Sequence, residues 1–259
     1  AGVLAVIGLV MVCVHPVAQR HASALQDDAS RYVRPKAIYP ALACVTGFVL
    51  MALEVVAARA LAPYLGVSVF TWTGIIGAIL FGITLGNMVG GILADREHAR
   101  EQLGRAIVWA GVAVLATTCL VEVGGPIFTA VGLPIAMRTA LFTLVAFLPP
   151  AFMLAVISPQ LVKAATSDTQ GVGSVMGILS AWNTLGGLVG ALASGFFLIS
   201  WMGTRTLLTS LAALLVIVGI VYLWPHRPWN RRQSVLIILL FLMQFFLPRA
   251  CFLETQYYC

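Results

Sequence analysis

The sequence predicts an all-α, polytopic integral membrane bundle, and three observations lead there. Of 259 residues, 61% are hydrophobic and only 9% charged, with a mean hydropathy of +1.00, whereas soluble domains carry about a quarter charged residues. The apolar residues gather into six runs, each near the roughly 20 residues that a hydrocarbon core of about 30 Å requires of a helix. The Lys and Arg residues lie singly or in short clusters between those runs, as the flanks of spanning helices do. That distribution argues against nucleic acid as a partner in spite of a net charge of +6. The lipid bilayer is the expected partner instead.

The segments follow in order. The opening run, 1–14, is too short to cross a bilayer and reads as the end of a longer helix, with the chain truncated at both ends. It lacks the basic start and small-residue cleavage site of a signal peptide. Residues 15–39 form a polar linker in which Arg20, Arg31, Arg34 and Lys36 stand against Asp27 and Asp28. The six core transmembrane helices are then expected at Pro40 to Ala62, Phe70 to Ala94, Ala106 to Val121, Thr139 to Ile157, Val172 to Trp201 and Thr206 to Trp224, a membrane domain of residues 40–224. Residues 225–247 hold a basic loop and a short apolar segment, Val235 to Leu247, that is re-entrant, interfacial or a short span. A tail, 248–259, closes the chain.

Charge sets the orientation. The linker, the loop with Arg96, Arg100 and Arg105, the loop with Lys163 and the stretch with Arg227, Arg231 and Arg232 hold eleven basic residues, against four on the other side, Arg59, Arg138, Arg205 and Arg249. The excess places linker 15–39 in the cytoplasm and the protein in the cell inner (plasma) membrane. Trp72 and Trp201 then fall at the outer interface and Trp224 at the inner one, as aromatic anchors. The basic cluster Arg227, Arg231 and Arg232 faces lipid, with anionic head groups as its partner.

Glu54 is the most specific single residue, because a carboxylate at hydrocarbon depth needs a partner or must become neutral. Arg59 is five residues away, about 140° round an ideal helix, and snorkels to the interface as an anchor. Glu54 shares its face with Gly47, Leu50, Ala57, Ala58 and Leu61 and is expected to point into the bundle. It is either a proton or cation site, with Asn183 as a second intramembrane polar group, or a carboxyl hydrogen-bonded to a neighbouring helix through Asn183 or Thr84. Gly82, Gly86 and Gly90 on the second run, and Gly186, Gly190 and Ser194 on the fifth, recur every four residues as helix-packing faces. The two faces either pack on each other or occupy equivalent places in two three-helix halves. Pro149 and Pro150 should kink the fourth helix, and Ser158-Pro159 should mark its end. The five cysteines show no metal spacing; Cys13, Cys44 and Cys119 read as small hydrophobes.

Several stretches also resemble a known family. They are Leu53-Glu54-Val55-Val56-Ala57-Ala58-Arg59, Leu61-Ala62-Pro63-Tyr64-Leu65-Gly66, Trp72-Thr73, Gly91-Ile92-Leu93-Ala94-Asp95-Arg96, Ile157-Ser158-Pro159 and Gly195 to Ile199 through Gly203-Thr204-Arg205. Together they resemble the membrane-bound spermidine synthase-like proteins, in which a half-size major-facilitator-like membrane domain precedes an aminopropyltransferase domain. Asp95, Arg96 and Arg100 resemble the cytoplasmic loop motif of major facilitator transporters, although His98 and Ala99 stand where that motif has glycine. Glu254-Thr255-Gln256-Tyr257-Tyr258 resembles the strand that opens the enzymatic domain.

The resemblance implies a parent that transfers an aminopropyl group from decarboxylated S-adenosylmethionine to putrescine. No glycine-rich nucleoside loop or acidic cluster follows Tyr258, so residues 1–259 are expected to have no catalytic residues, no cofactor and no metal. The expected role is a non-catalytic membrane domain that anchors or scaffolds. An accessory subunit packing against other membrane proteins is one alternative. A polyamine or proton-coupled transporter using Glu54 is the other.

Overall fold

The structure, a computed structural model, describes residues 35–96, 99–166 and 171–224. The N-terminal segment, most of the linker, His98, the basic cluster Arg227, Arg231 and Arg232, the segment 235–247 and the tail lie outside the described residues. Among those described there is no strand. The helices are α1 (Ile38–Leu65), α2 (Val69–Ala94), α3 (Ala99–Ala130), α4 (Ile135–Ala165), α5 (Val172–Ala193) and α6 (Ile199–Leu223), with a π-helical turn at Ser194–Leu198 between the last two. Five helical runs are long and apolar enough to cross a membrane, the fifth being the 52 residues of Val172–Leu223.

That fifth run is not one straight rod. Gly203 leaves the helical region, with φ 72° and ψ 161°, a conformation in which a Cβ would be strained. Beyond it α6 runs antiparallel to α3: Arg205 pairs with Glu122, Gly111 lies against Val216 and Ala212, Val108 against Gly219, and Gly104 against Leu223. Tyr222, at the far end of α6, hydrogen-bonds Tyr39 at the start of α1. The tighter reversal between α1 and α2 uses Gly66, at φ 71°. There Ser68 caps α2 by accepting from Thr71 N–H at 3.2 Å, and Thr71 Oγ1 donates to the Gly66 carbonyl at 3.1 Å.

Helices α2 and α4 pack in parallel along Gly74, Gly82, Gly86 and Gly90, which face Thr143, Ala151, Ala155 and Pro159 in turn. Helices α1 and α5 also pack in parallel, with Gly186 on Cys44, Gly190 on Phe48 and Gly195 beside Val55. The two glycine faces therefore do not meet each other; each seats its helix on a different partner. The contacts correspond, because Gly82 lies on the Leu148 carbonyl as Gly186 does on that of Cys44, and Gly86 on Phe152 as Gly190 does on Phe48. A constant shift of 104 residues relates all four pairs.

Two expectations need correction. Helix α4 continues through Ser158-Pro159 to Ala165, with Pro149, Pro150 and Pro159 all inside it. Backbone groups freed by proline can be satisfied by neighbouring helices in a membrane bundle, and the Pro159 ring lies where Gly90 leaves room for it. Helix α3 begins seven residues before Ala106, at Ala99, so that Arg100 and Arg105 lie in the helix and not in a loop, and it continues nine residues past Val121 to Ala130, since Glu122 is paired and does not end the apolar helix.

A Cβ at Gly82 would sit 2.9 Å from the Leu148 carbonyl oxygen, and the space at Gly86 and Gly190 is tighter still, against backbone that cannot turn aside. G86A and G190A should each destabilise the bundle by about 1–3 kcal/mol, read as an earlier thermal unfolding transition in detergent. G77A and G173A, which meet open space, should leave that transition unchanged.

Candidate functional site

Helices α1, α2, α4 and α5 line a partly open cavity of about 340 Å³, within the size range of small-molecule sites. Six polar residues line it: Thr46 from α1, Asn87 from α2, Ser158 from α4, and Ser180, Asn183 and Thr184 from α5. They come from the first half of α1, the first half and middle of α5 and the last halves of α2 and α4, so the cavity lies toward the end of the bundle nearer Asp95. Glycine packing brings these groups together. The Asn183 backbone rests on Gly47, which draws α5 onto α1 and carries Ser180, Asn183 and Thr184 to the cavity wall.

The polar groups are not chemically equivalent. Thr46 Oγ1 donates to the Leu42 and Ala43 carbonyls, each at 3.0 Å, and Thr184 Oγ1 donates to the Ser180 carbonyl at 2.9 Å. Their single hydroxyl protons are thus committed to their own helices, which leaves the oxygens as acceptors. Among the described residues, the side chains of Asn87 and Asn183 make no hydrogen bond and no Lys, Arg or His lines the cavity.

Glu54 lies one turn beyond the cavity-lining Leu50 on α1, about 40° round the helix and about 6 Å along it. It is half-buried between the fully buried Leu53 and Val56. Among the described residues it forms no ion pair or hydrogen bond. The two expected partners are otherwise placed: Thr84 Oγ1 donates to the Leu80 carbonyl of its own helix at 2.9 Å, and Asn183 sits at the level of Gly47, about 10 Å from Glu54 along α1. Glu54 on α1 and Asn183 on α5 therefore lie at different depths and do not meet. The shift of 104 makes Ser158, which lines the cavity, the counterpart of Glu54.

Other candidates occupy helix ends. Arg59 is exposed and does not pair with Glu54. Asp95 and Arg96 are exposed at the end of α2, where the Asp95 N–H donates to the Gly91 carbonyl; among the described residues the Asp95 carboxylate neither caps α3 nor pairs with an Arg. Arg100 lies near Tyr222. Trp72 is exposed near the start of α2, Trp201 beside Gly203, and Trp224 at the end of α6. Neither Cys44 nor Cys119 is in a disulfide. No three His, Cys, Asp or Glu residues among those described could hold a metal.

The sequence reading missed the ion pair of Glu122 Oε1 with Arg205 Nε at 3.0 Å. Glu122 stands one residue beyond the apolar run that ended at Val121, and Arg205 had been counted as a loop base. The available signal was that each lay beside an apolar run without an adjacent partner. It missed Asn87, Ser158, Ser180 and Thr184 as a group for a different reason: each is a single polar residue in an apolar helix, and convergence depends on packing. No protein-family model, curated protein or solved structure matches this chain.

The Glu122–Arg205 pair joins α3 to the beginning of α6 beside the Gly203 break. A double-mutant cycle of E122Q and R205Q should give a coupling of about 0.5–3 kcal/mol, measured by unfolding in detergent. The single E122Q change should destabilise more than the pair of changes together, because it leaves Arg205 uncompensated.

Proposed function

We propose that this chain is a non-catalytic membrane module of six passes, arranged as two inverted three-helix halves and serving to anchor or scaffold. In this reading α1–α3 and α4–α6 correspond, the bundle is similar to half of a major facilitator transporter, and the parent is a spermidine synthase-like protein. The constant shift of 104 residues between the two glycine-packed helix pairs carries the proposal. It is supported by helix direction: α1 parallel to α5, α2 parallel to α4 and α3 antiparallel to α6 is the pattern of six alternating passes. Inverted repeats of this kind build many transporter folds. The motifs from Leu53 to Arg205 connect the plan to the spermidine synthase-like proteins, and the excess of basic residues beside Asp95 assigns that end to the cytoplasm.

Single cysteines at Val67, Gly132 and Met202 should react with a membrane-impermeant maleimide from one side of oriented vesicles, and cysteines at Asp95 and Thr166 from the other. If the Met202 and Asp95 positions label from the same side, the six-pass arrangement is wrong. Purified chain given decarboxylated S-adenosylmethionine and putrescine should form no spermidine above the uncatalysed background. Turnover would refute the non-catalytic assignment.

A further inference from the structure

We propose that the cavity between α1, α2, α4 and α5 binds an uncharged, non-aromatic polyol, with the Asn87 and Asn183 carboxamides each pairing with two adjacent hydroxyls of the ligand. The site stands on the cavity lining alone and does not depend on a catalytic partner or on the number of passes.

Charge is excluded first. Among the described residues no Asp, Glu, Lys, Arg or His lines the cavity, so an ion of either sign would lie between membrane-spanning helices without a counter-charge. Hydrogen bonding is what the walls offer instead. The side chains of Asn87, Ser158, Ser180 and Asn183 are exposed and form no hydrogen bond among the described residues. Polar side chains at membrane depth are kept where they face a cavity or one another. These four come from three different helices and converge on one space with their donors and acceptors uncommitted.

The pattern of donors and acceptors then selects among neutral ligands. A carboxamide holds an N–H donor and an acceptor oxygen side by side, so it meets a pair of adjacent hydroxyls, one donating to Oδ1 and the next accepting from Nδ2. Carboxamides on two helices, α2 and α5, call for two such pairs. Ser158 and Ser180 donate or accept, whereas Thr46 and Thr184, whose protons go to their own helices, only accept. A ligand hydroxyl serves either kind. A simple alcohol would leave most of these groups unmatched, and a flat aromatic ligand would find no ring to stack on, since among the described residues no Phe, Tyr or Trp lines the cavity. Leu50, Ile83 and Leu154 give the C–H face of a polyol an apolar wall.

The test uses the chain in phosphatidylcholine nanodiscs near pH 7, with radiolabelled erythritol as the probe in equilibrium dialysis. The competitors are 1,4-butanediol, which has no adjacent hydroxyls, and tartrate, which has them but is charged. Erythritol should bind saturably, and neither competitor should displace it as unlabelled erythritol does. N87A and N183A should each weaken binding about tenfold, as the loss of one or two hydrogen bonds implies, while E54Q, at a residue that does not line the cavity, should leave it unchanged. Nanodiscs containing a monogalactosyl lipid distinguish the two sources of such a ligand: competition by that lipid supports a polyol headgroup entering from the bilayer, and its failure to compete supports a free polyol. Equal displacement by 1,4-butanediol or tartrate, undiminished binding in the alanine variants, lost binding in folded E54Q, or no saturable binding would each overturn the proposal. Size-exclusion chromatography reports which variants fold; if N183A does not, N87A on the other helix decides alone.

Discussion

Backbone resting on backbone at the two glycine faces is the constraint on which the rest of this structure depends. In a bilayer the lipid tails are as apolar as the helix surfaces, so burial of Leu against Leu does little to choose a partner. Close approach does choose, because only helices without Cβ atoms at the contact gain dispersion along their whole length. Gly82, Gly86 and Gly90 fit α2 to the backbone of α4, and Gly186 and Gly190 fit α5 to that of α1. With those pairs placed, α3 and α6 pack antiparallel on each other, fixed at one end by Glu122 and Arg205 and at the other by Leu223 over Gly104.

The same contacts create the cavity. Seating α5 so deeply on α1 that the Asn183 backbone meets Gly47 brings three polar residues of α5 opposite Ser158 of α4 and Asn87 of α2. Polar groups at such depth are costly against lipid and are kept where they face a cavity or one another. The glycine contacts correspond at a shift of 104 residues, but the side chains at that shift differ: Thr46 faces the cavity where position 150 is proline, and Asn87 where position 191 is alanine. The glycine contacts thus repeat, and the polarity beside them does not.

Much of the fold was legible in the sequence, since hydrocarbon thickness dictates span length and apolar runs reveal it directly. The expected runs Phe70 to Ala94 and Val172 to Trp201 begin within a residue of α2 and at the first residue of α5. Span ends were misread wherever a local rule yielded to tertiary context, as at Pro159, whose ring packs on Gly90, and at Glu122, whose charge is matched by Arg205. The site was only partly legible. Glu54 stands out because a buried carboxylate is rare. Ser158 and Asn87 do not, because a lone small polar residue carries no sign of which helix will face it. Thr84 shows the same limit from the other side, since its hydroxyl turned to its own helix, a choice that spacing alone does not reveal.

One shift of 104 residues relates the halves only if α6 turns back along α3 at Gly203. The most direct test is cross-linking in a cysteine-free background with a short bifunctional thiol reagent, comparing E122C/R205C with E122C/W224C. The account predicts rapid cross-linking of the first pair and none of the second. Cross-linking of the second pair without the first would mean that the Val172–Leu223 run does not reverse, and would contradict the account.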